Sequence, residues 1–229
     1  MKYRQALRLN TEYLEQRPND QSAQLIQLNL LADLDMRDEV LEAVAEFYAR
    51  DGYDPVVAGT SLTRLLYTGE PEMLRTYARN AVERFGDNAN VMYQAHRALL
   101  WVADIDGASK VLPVILASDL PDDSRYLVLL RQACAENRIA DAKRLYTKGI
   151  EQFADDASII WLAHLIMGNE EEAFEALKAF DDEQEMITMT SFLGYGTLDR
   201  RRYPNLMAVL ESQGIEWSEP VELPYQCRR

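Results

Sequence analysis

The stretch Tyr126-Leu-Val-Leu-Leu-Arg131-Gln-Ala-Cys-Ala-Glu-Asn137-Arg-Ile-Ala-Asp-Ala142-Lys-Arg-Leu-Tyr146-Thr-Lys-Gly149-Ile-Glu-Gln-Phe-Ala154 decides the fold. Tyr126, Leu129, Leu130 and Ala133 are spaced by threes and fours, which puts them on one face of a helix. Asn137 is a turn residue. Beyond it, Ala142, Tyr146 and Gly149 restart the same spacing, and Ala154 follows five residues later. The segment reads as helix, turn, helix, stop.

Earlier segments repeat this one. Ala6, Val40, Leu74, Ala108 and Ala142 stand at one constant interval, and Asn10, Val44, Ala78, Leu112 and Tyr146 keep the same interval. Tyr13, Phe47, Ala81, Ile115 and Gly149 form a third ladder, and Pro18, Gly52, Gly86, Leu120 and Ala154 a fourth. Pro18, Gly52 and Gly86 are helix-ending types. First-helix positions repeat through Met92, Ala95, His96 and Leu99, and through Ala58, Ser61, Leu62, Leu65 and the turn Gly69. A fixed period of this size marks stacked helix pairs, because one pair cannot bury its apolar face alone.

These ladders resemble the tetratricopeptide repeat, a helix–turn–helix unit of 34 residues, over roughly residues 1–181. The resemblance implies an all-α, right-handed solenoid of antiparallel helix pairs with about 12–13 helices. Residues 2–17 match a lone second helix, and pairs are expected at about 20–50, 54–85, 88–118, 122–153 and 155–181. A free array end normally carries a polar outer face. Tyr3, Leu7, Tyr13 and Leu14 are apolar there, which favours a chain that begins inside a longer protein over one that begins with an atypical capping helix. In the fifth pair Trp161, His164, Gly168, Ala173, Leu177 and Phe180 arrive three residues early, which a shorter connection near Asp155-Asp156 would explain. Residues 1–184 are thus read as the array and 185–229 as a capping helix and irregular tail. Met186 to Phe192 suits one more helix or a short extended run, and Asn205 to Gln213 a helix ending at Gly214. Asp199, Arg202, Pro204, Leu206, Leu210 and Gly214 are similar to the closing element of bacterial proteins that join a winged-helix, kinase or cyclase module to such repeats.

Composition narrows the function. The net charge of -14 opposes direct nucleic-acid binding, which needs a basic surface. No apolar run is long enough for a membrane helix. Phosphate-loop, HExxH, GxSxG and dinucleotide signatures are missing from the sequence. Neither a cofactor, a metal site nor catalysis is therefore expected. His96 and His164, the only histidines, fall on packing positions of first helices and read as structural. Cys134 and Cys227 read as free thiols in a reducing compartment, with one disulfide between them as the alternative in an oxidising one. The acidic run from Glu170 to Glu185 reads as a solvated helix and turn, or as a docking face for a basic partner.

In the family that this chain resembles, ligands lie along the first helices. The resemblance assigns Asn29, Thr63, Arg97, Arg131 and Leu162 to one ligand-facing ladder, and Leu25, Gly59, Tyr93, Leu127 and Ser158 to another, with Asp33, Tyr67 and Trp101 nearby. Arginine forks suit carboxylates and phosphates. Some relatives clamp a peptide C-terminus with Asn, Lys and Arg at these places, but Tyr93 and Leu127 replace the lysine here. The candidate groove is therefore Asn29, Thr63, Tyr67, Tyr93, Arg97, Trp101, Leu127 and Arg131, holding a peptide or protein segment. The alternative is a sensor or regulatory domain of a winged-helix-type bacterial regulator. Cytoplasmic localisation is expected, or periplasmic for a sensor domain; homodimerisation stays open.

Overall fold

A computed structural model describes residues 3–50, 53–66, 68–182, 198–212, 214–215 and 219–227. These residues form twelve α-helices, one short 3-10 turn and no strand. The helices are α1 (Tyr3–Gln16), α2 (Gln21–Asp33), α3 (Arg37–Ala49), α4 (Pro55–Leu65), α5 (Pro71–Arg84), α6 (Ala89–Trp101), α7 (Ile105–Ala117), α8 (Asp122–Ala135), α9 (Ile139–Gln152), α10 (Ala157–Met167), α11 (Glu170–Asp182) and α12 (Pro204–Ser212). The architecture is all-helical, with adjacent helices packed in pairs as in a solenoid-like repeat. The stretch Met186 to Phe192 lies outside the described residues.

Two local devices recur with the period. Asp35, Gly69, Ala103 and Asn137, each one repeat beyond the last, all have positive φ, and Gly168 follows Asn137 at slightly less than a full period. One left-handed residue at each of these places lets the chain reverse within two or three residues. Side-chain caps recur at the starts of first helices. Asp20 accepts from the Ala23 N–H, Asp54 from those of Val56 and Val57, Asn88 from that of Val91, and Asp156 from those of Ser158 and Ile159. Each such cap supplies an acceptor to otherwise orphaned helix N–H groups. The early fifth pair has a different cause from the one expected. The connection 153–156 is as long as 85–88 and 118–121, and the deficit lies in α10, which has 11 residues against 14 in α8.

The chain divides into two compact units: residues 1–69 with 180–221, and residues 70–179 with 222–229. In the first unit α2 packs on α1, α3 and α4. Leu28, Val44 and Leu62 are fully enclosed there. Asp181, expected in a solvated turn, is instead only 2% exposed. Its carboxylate accepts from the Leu206 N–H at 2.8 Å, and so caps α12. In the second unit α6 packs on α5, α7 and α8, and α8 also meets α9 and α10. Ala95, Ala108, Ala133 and Ala142 are fully buried, so small side chains let these helices approach closely. Gly149 serves the same purpose for a larger neighbour: a Cβ there would overlap the ring of Tyr126.

Candidate functional site

Two of the predicted groove residues that the structure describes, Asn29 and Thr63, belong to the first unit. Asn29 Oδ1 accepts from Arg64 Nε at 2.8 Å, and Arg64 also pairs with Asp33 at 3.5 Å. Burial raises the Asp33 carboxyl above its ordinary range, against the opposing charge of Arg64. Arg64, one place beyond Thr63, was not a candidate from its sequence position. Thr63 turns its hydroxyl back to the Gly59 carbonyl at 3.0 Å, a bond within its own helix. Tyr67 lies outside the described residues.

In the second unit, packing of α6 against α8 brings Tyr93, Arg97 and Arg131 together. The Arg131 guanidinium carbon stands 5.8 Å from the centre of the Tyr93 ring, and its Nη1 reaches the Tyr93 hydroxyl at 3.5 Å. Burial would raise the pKa of that phenol. The charges of Arg131 and Arg97, with the hydrogen bond from Arg131, outweigh burial, and the net displacement is downward. This point of an acidic chain therefore stabilises negative charge. The arginines were expected to face a ligand groove, yet Arg97 is 4% exposed and Arg131 1%. Leu127 is buried as well.

The two histidines sit differently. First helices fill one core slot with Leu28, Leu62, Leu130 and Trp161, and His96 takes that slot in α6 with no exposure. Its Nε2 pairs with Gln132 Oε1 at 2.9 Å. Gln132 donates onward to Ser109 Oγ and Glu136 Oε1, each at 2.7 Å. Desolvation lowers the His96 pKa to about 4, so the ring is neutral at neutral pH. His164 is half-buried, and its Nδ1 pairs with the Tyr146 hydroxyl at 2.9 Å. Among the described residues no group of three or more His, Cys, Asp or Glu is arranged to hold a metal ion, and no helix is long and apolar enough to cross a membrane.

Trp101 is the last residue of α6, one turn beyond Arg97. It meets the ring of Tyr225 edge-on, centroids 6.1 Å apart. The next two residues of the C-terminal segment bind the end of α10. Gln226 Nε2 donates to the Leu165 carbonyl at 2.9 Å, and the Cys227 N–H to that of Ile166 at 2.8 Å. Cys227 is bonded to Cys134 of α8, with Cα atoms 4.6 Å apart. The expectation of two free thiols is thus replaced by a disulfide across 93 residues. No sequence signal joined the two cysteines, because one lies inside the repeat and the other beyond it. No family model, no curated protein and no solved structure matches this chain.

Proposed function

We propose that this chain is a non-catalytic interaction module that holds an acidic peptide or protein segment along its first helices. The observation that carries the reading is the Tyr93–Arg97–Arg131 cluster, where two guanidinium groups shift a neighbouring phenol toward its anionic form. Arg97 and Arg131 are themselves buried, so they would favour an acidic partner through their field at the face of the first helices and not by direct contact. The repeat supports it too, since stacked first helices bring positions one period apart, such as Arg97 and Arg131, to adjacent places. The expected superhelix is right-handed.

The test uses fluorescein-labelled decapeptides with Asp or Glu at varied positions, against matched Asn/Gln peptides. Wild type binds the acidic set, and Arg131→Gln weakens that binding about two- to five-fold, the scale of one charge removed without direct contact. Ultraviolet titration of the tyrosines supplies a second readout. Saturating acidic peptide raises the Tyr93 pKa, and Arg131→Gln raises it without peptide. Equal affinity for acidic and amide peptides removes the reading.

A second reading is favoured by the Cys134–Cys227 bond. Disulfides persist in oxidising compartments. The same module then acts as the sensing domain of a bacterial regulator, placed in the periplasm rather than the cytoplasm. Labelling of the thiols in protein taken directly from cells under acid quench tests this: full alkylation of both cysteines contradicts it.

A further inference from the structure

The last turns of α6, α8 and α10 supply three different groups to one short stretch of chain. Trp101 is the final residue of α6, Cys134 the penultimate residue of α8 and Ile166 the penultimate residue of α10. The carbonyls of a last helical turn have no partner further along their own helix. Here the Ile166 carbonyl accepts from the Cys227 backbone, and the Leu165 carbonyl, which also takes the Gly168 N–H, accepts from the Gln226 side chain. Tyr225 and Cys227 are both buried against the second unit, so the segment is seated rather than merely tethered. Each of its three residues makes a separate contact: a ring with Trp101, a carboxamide with α10, and a backbone N–H with α10.

The geometry points to the ends of α6, α8 and α10 as an extended-peptide site whose resident ligand is the chain's own segment 225–227. The disulfide locks a complex that the other contacts assemble. The ligand class follows from the contacts: an extended segment offering an aromatic ring, then a carboxamide, then a small residue with a free backbone N–H. The inference rests on first helices being the recognition elements. It uses none of Tyr93, Arg97 and Arg131, so it and the acidic-segment reading fail separately.

Locking is an ordinary thiol–disulfide exchange. One thiolate attacks oxidised glutathione and releases one glutathione. The second thiolate then displaces the other glutathione from the mixed disulfide. The two cysteines lose two protons and two electrons in total, and two molecules of glutathione form. A seated segment holds Cys227 at high effective concentration beside Cys134, which speeds the second displacement.

Two measurements on the full-length chain test this. The first uses a host carrying Tyr225→Ala, Gln226→Ala and Cys227→Ser, which disables the resident segment. The probe is a fluorescein-labelled peptide of residues 222–227 with serine in place of the cysteine. Anisotropy should show saturable binding to this host, and binding weaker by about ten-fold or more to oxidised wild type or for a probe with alanine in place of the tyrosine. The second follows closure of the Cys134–Cys227 bond in reduced protein after oxidised glutathione is added. The Tyr225→Ala/Gln226→Ala chain should close about ten-fold more slowly than wild type, since its segment is no longer held in place. Closure at the wild-type rate overturns the inference whether or not the triple-substituted host keeps its fold. Equal binding of both probes by a folded host overturns it as well.

Discussion

Replacing His96 with leucine should flatten the stability of this protein between pH 6.5 and pH 4. The ring occupies a fully enclosed slot that other first helices fill with Leu28, Leu62 and Leu130. Its pKa falls from 6.5 to about 4 because burial penalises the imidazolium, against the partial support of Gln132. In the unfolded chain the ring takes up its proton near pH 6.5, while the folded ring resists until about pH 4. The folded state therefore keeps its full stability above pH 6.5, loses it progressively as pH falls, and levels off below about pH 4. At 1.36 kcal/mol per unit the loss is roughly 3 kcal/mol, most of it reached by pH 4.5. His96→Leu also leaves Gln132 Oε1 without its 2.9 Å partner, a penalty that does not depend on pH. The assay is urea unfolding followed by circular dichroism for both proteins at pH 7.5 and pH 4.5. The difference of the two differences isolates the ring. Stability curves that stay parallel across this window would refute the burial argument. Carboxylates held low by capping or pairing, such as Asp104 and Asp54, act below it and cancel between the two proteins.

Gly149→Ala should destabilise the second unit by about 1–2 kcal/mol, although alanine is the better helix former by about 1 kcal/mol, because the new methyl meets the Tyr126 ring. In a Tyr126→Ala background the same change should become neutral or stabilising in urea unfolding, and stabilisation in both backgrounds would contradict the contact. Cys227→Ser, or reduction, should lower stability by about 2–4 kcal/mol, since the bond restricts an unfolded loop of 93 residues in separation. Urea midpoints of oxidised and reduced protein check this, and coincident midpoints would rule it out.

Much of the fold was legible before any coordinates, and the legible part is local. A helix start at Asp20, Asp54, Asn88 or Asp156 depends on a side chain reaching two or three residues ahead. A reversal at Asn137 or Gly69 depends on one residue accepting a left-handed backbone. Such preferences lie within a few residues of sequence; the turns at Asn137 and Gly69 were read from it, whereas the caps recur with the same period without having been singled out. The candidate site was legible only in part. Position along the repeat identified Tyr93, Arg97 and Arg131, and packing of α6 on α8 does bring them together. Their depth, 4% and 1% exposure for the arginines, was hidden, because periodicity says which helix face a residue shares and not what covers that face. Trp101 shows the same limit: its place near the groove was readable, its engagement by Tyr225 was not.

The amino-acid order by itself determined an all-helical chain of recurring pairs and the turns at Gly69 and Asn137. Spacings of three and four residues, and the longer repeat period, act over distances the backbone spans locally. Only the tertiary structure decided that Cys134 meets Cys227, that Asp181 caps α12 from inside the first unit, and that His96 titrates far from its usual pH. Each of these depends on groups 24 to 93 residues apart or on complete removal of a ring from water. Such contacts leave no periodic trace, because their free energy appears only after the helices have stacked.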